Sequence, residues 1–215
     1  METSRLRDGV RAALPLALAP VLFGASFGLL AVEAGMGRVG AVAMSATTFA
    51  GSAQFAAASI LEDGGGVAAA IVAAVLLNAR YVPISLSVAS IFPGSRRRRL
   101  AESQLIVDES WALSGRSGHF EYAVLVGAGL LFYVLWVAGT ALGTVIGDLL
   151  DPEAIGLDAA FPALFLALLA PYLRSRRALA TALVAGAITL ALLPFTPPGV
   201  PIVAASLACL IGLRK

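Results

Sequence analysis

The stretch between positions 45 and 55 carries uncharged polar side chains within otherwise apolar sequence. By their spacing, six residues would form two adjacent faces of one helix: Thr47, Gly51 and Gln54 on the first, and Thr48, Ser52 and Phe55 on the second. Hydroxyl and amide groups offer uncharged hydrogen bonds, which suits a zwitterion that has lost its water. The other interpretation is close helix packing, in which small and hydroxyl residues are enriched. Gln54 is the strongest candidate, because an amide in an apolar helix needs a partner.

Asn78 and Arg80 lie inside the third apolar run, just before Pro83. A charged side chain within a membrane is costly and marks a functional site by default. Arg80 would contact a substrate carboxylate, or else it would extend to the membrane surface with its head in water. Asp108 and Glu109 are its candidate ion-pair partners and a candidate coupling pair. They stand in an apolar patch of a loop, which either enters the helix bundle or lies on the membrane surface as an amphipathic helix.

The first apolar run contains a Gly-x-x-x-Gly pair, Gly24 and Gly28, with Ser26 between them. These three residues join the substrate-binding candidates, although such a pair usually indicates close helix packing. Pro20 frees the backbone carbonyl at position 16, and we expect a kink there. A second set of glycines at four-residue spacing predicts packing alone: Gly139, Gly143 and Gly147.

Few residue types in this chain suit catalysis or metal binding. Cys209 is the one cysteine and His119 the one histidine, which excludes a disulfide framework, a cysteine-based zinc site and His-pair metal motifs. An intramembrane serine protease would need a histidine within a span, and an intramembrane zinc protease would need an HExxH motif. We therefore predict no enzyme activity, no metal and no cofactor.

The elements that must hold these side chains are helices in a membrane. Of the 215 residues, 59% are hydrophobic and 13% are charged, and the mean hydropathy is +0.90. A soluble domain carries about 25% charged residues. Composition therefore excludes a soluble enzyme, a disordered chain and a nucleic-acid-binding protein. No alternation of apolar and polar residues indicates strands, and lipid tolerates only helices or closed barrels.

The apolar runs predict seven transmembrane helices, at residues 12–32, 39–61, 67–92, 122–147, 159–173, 178–193 and 200–213. The last three are shorter than the ~20 residues that usually cross the hydrocarbon core. The prediction is an all-α integral membrane protein with a single transmembrane domain over residues 1–215. Residues 93–119 would form a cytoplasmic loop between its two halves.

Arginine sets the predicted orientation. Basic clusters at 96–99, 174–177 and 214–215 are separated by even numbers of spans, so they share one face of the membrane. The positive-inside rule makes that face cytoplasmic, together with the C-terminus. Seven spans would place the N-terminus outside, which the basic residues near it oppose. If residues 67–92 form a re-entrant segment instead, the N-terminus stays inside.

The predicted spans divide into two halves whose third elements are interrupted, at positions 78–83 and 194–199. An odd number of spans in each half makes the halves inverted repeats. Interrupted segments at matching positions of inverted repeats point to a transporter site at mid-membrane. Chance similarity between apolar helices is the other explanation.

Five short blocks follow one another along the chain: Phe49–Phe55, similar to the motif YAGxxQF; Leu77–Leu86, similar to N/D-x-R-H followed by SL; Val107–Glu109, similar to TDE; and residues 143–147 and 161–165 in the fourth and fifth spans. In this order they resemble the AzlC-type branched-chain amino-acid permease family. The resemblance covers residues 8–213.

The resemblance implies an inner-membrane subunit that exports valine, leucine and isoleucine, with methionine as a further candidate. Such a subunit works with a small AzlD-like membrane protein and draws on the proton-motive force. The resemblance also implies a required role for Gln54, Asn78, Arg80 and the Asp108–Glu109 pair. A branched side chain needs apolar walls, and we expect Phe23, Phe55 and Phe165 among them.

Two residues depart from the family pattern. Tyr81 replaces the histidine after Arg80, and Val107 replaces the threonine before Asp108. Proton coupling would then depend on Asp108 or Glu109, or be absent. The alternative function is a substrate-binding membrane subunit of an energy-coupling-factor-type vitamin importer, which is also small, helical and dependent on a partner.

Overall fold

The computed structural model describes residues 2–62, 64–116, 119–146, 175–196 and 200–213, with the single residues 166, 170 and 173. These residues are helical apart from turns and one antiparallel hairpin, in which β1 (Gly115–Arg116) pairs with β2 (His119–Phe120). The predicted all-α membrane fold is confirmed. The predicted span at 159–173 falls almost entirely outside the described residues, as do Gly147 and Phe165.

The helices of the described residues are α1 (Glu2–Ala13), α2 (Leu18–Glu33), α3 (Gly37–Thr48), α4 (Gly51–Glu62), α5 (Val67–Asn78), α6 (Tyr81–Val88), α7 (Arg96–Ser103), α8 (Asp108–Ser114), α9 (Tyr122–Ile146), α10 (Arg176–Leu192), α11 (Val200–Ala205) and α12 (Leu210–Leu213). Short 3-10 turns at Leu14–Leu16, Ala89–Ile91 and Ser206–Cys209 join some of them.

Two of these segments are long and apolar enough to cross a membrane, the continuous stretch Val67–Ile91 and the helix α9, each of 25 residues. The bent pair Leu6–Leu16 and Leu18–Glu33 passes the same test if it forms one span. Two or three of the seven predicted spans are therefore supported within the described residues. The total of seven stays a prediction. The inverted repeat also stays a prediction, because the middle element of its second half lies outside those residues.

The first predicted span is not straight. Its two parts meet at an angle of 66° between Leu16 and Leu18. The bend lies just before Pro20. Proline has no N–H to donate to the carbonyl at position 16, and its ring would clash with that carbonyl in a straight helix. The expected kink is confirmed, and Pro15 lies in the 3-10 turn beside it.

The second predicted span is broken, which corrects the expectation of one helix over residues 39–61. Phe49 adopts the left-handed conformation (φ 40°, ψ 54°) and ends α3, and α4 begins at Gly51. Such a conformation costs a non-glycine residue about 1–2 kcal/mol. Edge-to-face packing on Tyr133, with ring centroids 5.2 Å apart, helps to hold it. Because the helix is interrupted, the residues before and after Phe49 do not share the helical faces that their spacing predicted.

The third predicted span is one membrane-length segment. Helices α5 and α6 continue one another through a turn at Ala79 and Arg80, and no bend beyond 40° separates them. Pro83 lies in the first turn of α6, where its missing N–H breaks no bond within that helix. The re-entrant alternative for this segment therefore has no support.

The predicted loop at 93–119 is structured, containing α7, α8 and the hairpin. Residues Val107, Ser110 and Ser114 of the α8 region are buried, and α8 packs against α9. The apolar patch around Asp108 thus enters the bundle and does not lie on the membrane surface.

The core is built on the contact between α2 and α9, with α1 packed along the first half of α9. Glycines make this contact close: a Cβ atom on Gly24 or Gly28 would collide with the Trp136 or Thr140 carbonyl, and one on Gly139 or Gly143 with the Val21 or Ala25 carbonyl. The predicted packing role of Gly139 and Gly143 is confirmed.

Candidate functional site

A cavity of about 80 Å³ lies between α2, α4, α8, α9 and the start of α6. At roughly 15 Å³ for each enclosed water, it has room for about five water-sized groups. Its lining residues are mostly apolar: Leu16, Ala19, Pro20, Phe23, Phe49, Gly51, Ser52, Arg80, Tyr81, Val107, Asp108, Glu109, Phe132 and Trp136.

Four interruptions of the helices meet at this cavity. Leu16 stands at the bend before α2, Phe49 at the break between α3 and α4, Arg80 at the turn between α5 and α6, and Val107 directly before α8. Irregular backbone at membrane depth is tolerated where it is buried in protein or lines a cavity. The convergence places helix ends and polar side chains around one space.

The charged residues of the cavity, together with Tyr81, form the Arg80 cluster: Arg80, Tyr81, Asp108 and Glu109. The Arg80 Nη2 lies 2.9 Å from Asp108 Oδ2 and donates a longer hydrogen bond of 3.4 Å to the Tyr81 hydroxyl. The Arg80 guanidinium also stacks over the Tyr81 ring, 5.2 Å from its centroid. The predicted pairing of Arg80 with Asp108 is confirmed, and Arg80 lines the cavity.

Burial raises the pKa of the Asp108 carboxyl, and the charge of Arg80 acts in the opposite direction. Burial likewise raises the pKa of the Glu109 carboxyl, against a hydrogen bond from backbone and the attraction of Arg80. Carboxyls with raised pKa values exchange protons closer to neutral pH than exposed ones. The cluster therefore combines a fixed cation with two carboxyls that can gain or lose a proton.

The break after Phe49 brings Gly51 and Ser52 to the cavity wall. The Ser52 Oγ is buried and has no hydrogen-bond partner among the described residues. A buried hydroxyl without a partner costs about 1–3 kcal/mol. Its position at the wall makes it available to a bound molecule. Of the six residues from this stretch that we predicted, these two line the cavity.

The apolar wall consists mainly of aromatic rings, from Phe23, Phe49, Phe132 and Trp136. Phe23, which we expected to form a wall of the substrate pocket, lines this cavity. Phe55 lies elsewhere, in edge-to-face contact with Phe27 at a centroid distance of 5.9 Å.

Gln54 belongs to a closed hydrogen-bond network, the Gln54 ring, formed with Ser45, Trp136 and Thr140. Its Nε2 donates to Ser45 Oγ (2.8 Å), and Ser45 Oγ lies 2.7 Å from Thr140 Oγ1. Thr140 Oγ1 donates to the Trp136 carbonyl (2.9 Å), so Ser45 is the donor to Thr140. The Trp136 indole N–H closes the ring by donating to Gln54 Oε1 (3.1 Å).

The same Gln54 Oε1 accepts the Ala50 backbone N–H at 3.2 Å, which would otherwise be left unpaired at the start of α4. Gln54 is fully buried and stands behind the Trp136 side chain, not at the cavity wall. The amide that we expected to bind substrate therefore holds α3, α4 and α9 together in this structure.

The remaining candidates lie away from the cavity lining. Gly24 and Gly28 pack α2 onto α9, and the Ser26 hydroxyl donates to the Leu22 carbonyl at 2.8 Å. Thr48 is the half-buried last residue of α3. Asn78 ends α5, and its Oδ1 is buried without a hydrogen-bond partner in the described part of the chain.

Sequence reasoning missed the two aromatic residues of α9, Phe132 and Trp136. They stand four positions apart and so share one helical face, which was the available signal. It is weak in a chain this apolar. In the described residues no group of three His, Cys, Asp or Glu side chains is placed to hold a metal ion.

Comparison with known proteins agrees with the motifs. The profile of the AzlC protein family matches residues 15–150. An uncharacterized membrane protein of Archaeoglobus fulgidus is 32% identical over 96% of this chain and 93% of its own length. An uncharacterized membrane protein of Helicobacter pylori is 25% identical over 75% of this chain and 73% of its own.

The branched-chain amino acid transport protein AzlC of Bacillus subtilis is 26% identical over 71% of this chain and 62% of its own length. No solved structure matches. From the profile match over most of the chain and the similarity along nearly the whole length of a membrane protein, this chain belongs to the AzlC family.

Proposed function

We propose that the protein is the large subunit of an exporter of branched-chain amino acids, and that the cavity is its substrate site. The observation that carries this proposal is the Arg80–Asp108 ion pair, which opens onto a small space with aromatic walls. The family membership and the transport function named for the Bacillus subtilis relative support it. No observation on the described residues favours the vitamin-importer alternative.

In the proposed complex Arg80 binds the substrate carboxylate, and Asp108 and Glu109 bind its ammonium group. Charge-assisted hydrogen bonds of this kind contribute about 1.5–3 kcal/mol each. Ser52 Oγ supplies a further hydrogen bond. Phe23, Phe49 and Phe132 surround the branched side chain and exclude polar ones, because a hydroxyl or amide there would lose its water without finding a partner.

Proton coupling is proposed for the two carboxyls of the cluster. Tyr81 stands where the family pattern has histidine and lies against the Arg80 guanidinium. Asp108 and Glu109 are then the groups in the cavity that can carry a proton at accessible pH. Protonation of Asp108 would weaken its hold on Arg80 and on the substrate ammonium together.

The partner is proposed to be a small AzlD-like membrane subunit. The segment Val67–Ile91 exposes a largely apolar surface, with Val72, Val75 and Leu86 among its exposed residues. Lipid or a partner helix would cover it. We place the chain in the inner membrane as one domain, with the Arg-rich segment and the C-terminus on the cytoplasmic side.

The test is efflux of radiolabelled valine from preloaded cells that lack their own exporter, with and without the gene for a small partner. We expect Arg80→Gln to lower the efflux rate at least about tenfold at equal membrane levels, because one charge-assisted contact of ~1.4 kcal/mol or more is lost. Arg97→Gln, an exposed arginine outside the cavity, is the matched control and should export normally.

A second variant separates binding from folding. Exchanging the pair, as Arg80→Asp with Asp108→Arg, keeps an ion pair but reverses the charges that meet the substrate. We expect normal membrane levels and no efflux from it. Normal efflux from the exchanged variant would assign Arg80 a structural role. Failure to export valine, leucine, isoleucine or methionine, even with the partner present, would overturn the branched-chain assignment.

A further inference from the structure

A second open space lies outside the transport cavity, where the third span meets α7. It is a groove of about 310 Å³. Arg96, Arg99, Ser85 and Ser103 supply its polar side, and Phe92 and Ile106 supply apolar wall. None of its lining residues is acidic.

The four consecutive arginines of α7 have different surroundings. Arg98 binds the Glu102 carboxylate at 2.8 Å and the Tyr122 hydroxyl at 2.9 Å, so its charge is neutralised away from the groove. Arg99 donates to the Ala89 carbonyl at 2.8 Å, which fixes its guanidinium beside the end of the third span. Arg96 lies one turn earlier on the same face of α7, since residues three apart are neighbours on a helix.

We propose that this groove binds the phosphate of an anionic phospholipid, with the acyl chain against the third span. The Arg96 and Arg99 guanidiniums match the paired oxygens of a phosphate, and the Ser85 hydroxyl adds a neutral donor. Basic residues at the membrane end of a span attract anionic lipids of the cytoplasmic leaflet. This binding site is independent of the transported substrate.

The apolar part of the groove favours a lipid over free phosphate. Phe92 and Ile106 line it beside the guanidiniums, and Leu100, which also lines it, is 77% exposed. Free phosphate would leave these surfaces in water. An acyl chain would cover them and continue along the exposed apolar side of α6.

The experiment measures lipid binding to the purified protein by native mass spectrometry in detergent. Phosphatidylglycerol and phosphatidylcholine with identical acyl chains are titrated, with inorganic phosphate as a separate arm. We expect phosphatidylglycerol to bind at least about tenfold more tightly than phosphatidylcholine. Arg96→Gln should weaken that binding about tenfold. Arg97→Gln removes the same charge from the same helix outside the groove and should change it by less than about twofold.

Equal weakening by Arg96→Gln and Arg97→Gln would overturn the proposal, since it would show general attraction to a basic surface. Competition by inorganic phosphate at concentrations matching the lipid would identify a free-phosphate site and overturn the lipid assignment. Ser85→Ala is a second variant with no change of charge, and a severalfold weakening for phosphatidylglycerol alone would support the proposal further.

Discussion

The Gln54 ring and the Arg80 cluster are two polar groups within the same apolar bundle, and they differ in where their hydrogen bonds go. In the ring, Gln54, Ser45 and Thr140 are fully buried and bond one another and Trp136. In the cluster, Arg80 and Asp108 are about 30% exposed and face a cavity. The ring is uncharged and closed, whereas the cluster is charged and open.

This difference distinguishes a structural polar group from a functional one better than residue type does. An amide and an arginine are both unexpected in an apolar helix, and both invite a functional interpretation. The amide of Gln54 is hydrogen-bonded to Ser45 on α3, to Trp136 on α9 and to the Ala50 backbone, and it lies away from the cavity lining. The cluster still has carboxyl oxygens at the cavity surface. The two regions share Trp136, whose indole N–H joins the ring and whose side chain forms cavity wall.

Asp108→Asn should give the largest effect on transport. Unchanged transport would contradict the distinction between the two regions. We expect transport per molecule to fall at least about tenfold, because the variant keeps the shape of the side chain but loses the charge that pairs with Arg80. The measurement is valine efflux at matched membrane levels. Asp8→Asn, in an exposed pair with Arg11 at 4.0 Å, is the control and should leave efflux unchanged. Normal efflux by Asp108→Asn would remove the cluster from the mechanism.

Gln54→Ala should act on stability. The substitution orphans the Trp136 indole N–H and the Ala50 backbone N–H, and we expect the free energy of unfolding to fall by about 1–3 kcal/mol. Transport per folded molecule should stay within about twofold. Chemical unfolding in detergent measures the first quantity and efflux corrected for folded protein the second.

Gln104→Ala is the matched control for the ring, because the Gln104 side-chain amide also hydrogen-bonds the backbone, donating to the Thr47 carbonyl at 2.9 Å, but Gln104 is only half-buried. Its loss should cost clearly less than the loss of Gln54. If Gln54→Ala left stability unchanged and stopped transport, the ring would belong to the mechanism and the distinction between the two regions would fail.

The smallest effect is the pH dependence of stability. Burial raises the pKa values of Asp108 and Glu109, so the folded protein holds more protons than the unfolded chain. The free energy of unfolding should therefore fall as pH rises from about 4 through the raised pKa values. Asp108→Asn should flatten this fall, whereas Arg80→Gln should extend it to higher pH because Arg80 lowers both pKa values.

Thermal unfolding midpoints of the purified protein across that range would check the expected slope. Glu62→Gln changes an exposed carboxyl and serves as the control. An identical slope for wild type and Asp108→Asn would contradict the assignment of the raised pKa to Asp108.

Much of the fold was predictable because composition leaves few choices. A chain with 59% hydrophobic residues and few charges must form apolar helices, and an arginine inside a span needs an acidic partner. The pairing of Arg80 with Asp108, the kink before α2 and the packing glycines of α9 follow from such constraints. Each depends on residue types and spacings that can be read directly from the sequence.

The break at Phe49 was not predictable from the sequence. A left-handed phenylalanine has no local advantage, and it persists because Tyr133 packs on its ring and Gln54 accepts the freed N–H of Ala50. Tyr133 lies far along the chain on α9, and Gln54, four residues after Ala50, is itself held by Ser45 and Trp136. The face shared by Thr47, Gly51 and Gln54 was wrong for this reason. The sequence also could not decide the position of α8, because an amphipathic segment can lie on a membrane surface or pack into a helix bundle.

The glycine contact between α2 and α9 has a mechanical consequence. Gly28 and Gly143 bring the two backbones together with no side chain between them, so a shift of one helix along the other would drive carbonyls into Cα atoms. Tightly packed surfaces of this kind are not continuously deformable. We expect α2 and α9 to keep a fixed position relative to each other during transport. The movements that expose the cavity first to one side of the membrane and then to the other would be made by α4, α6 and α8. The described contacts of these three cavity walls include no such glycine pair.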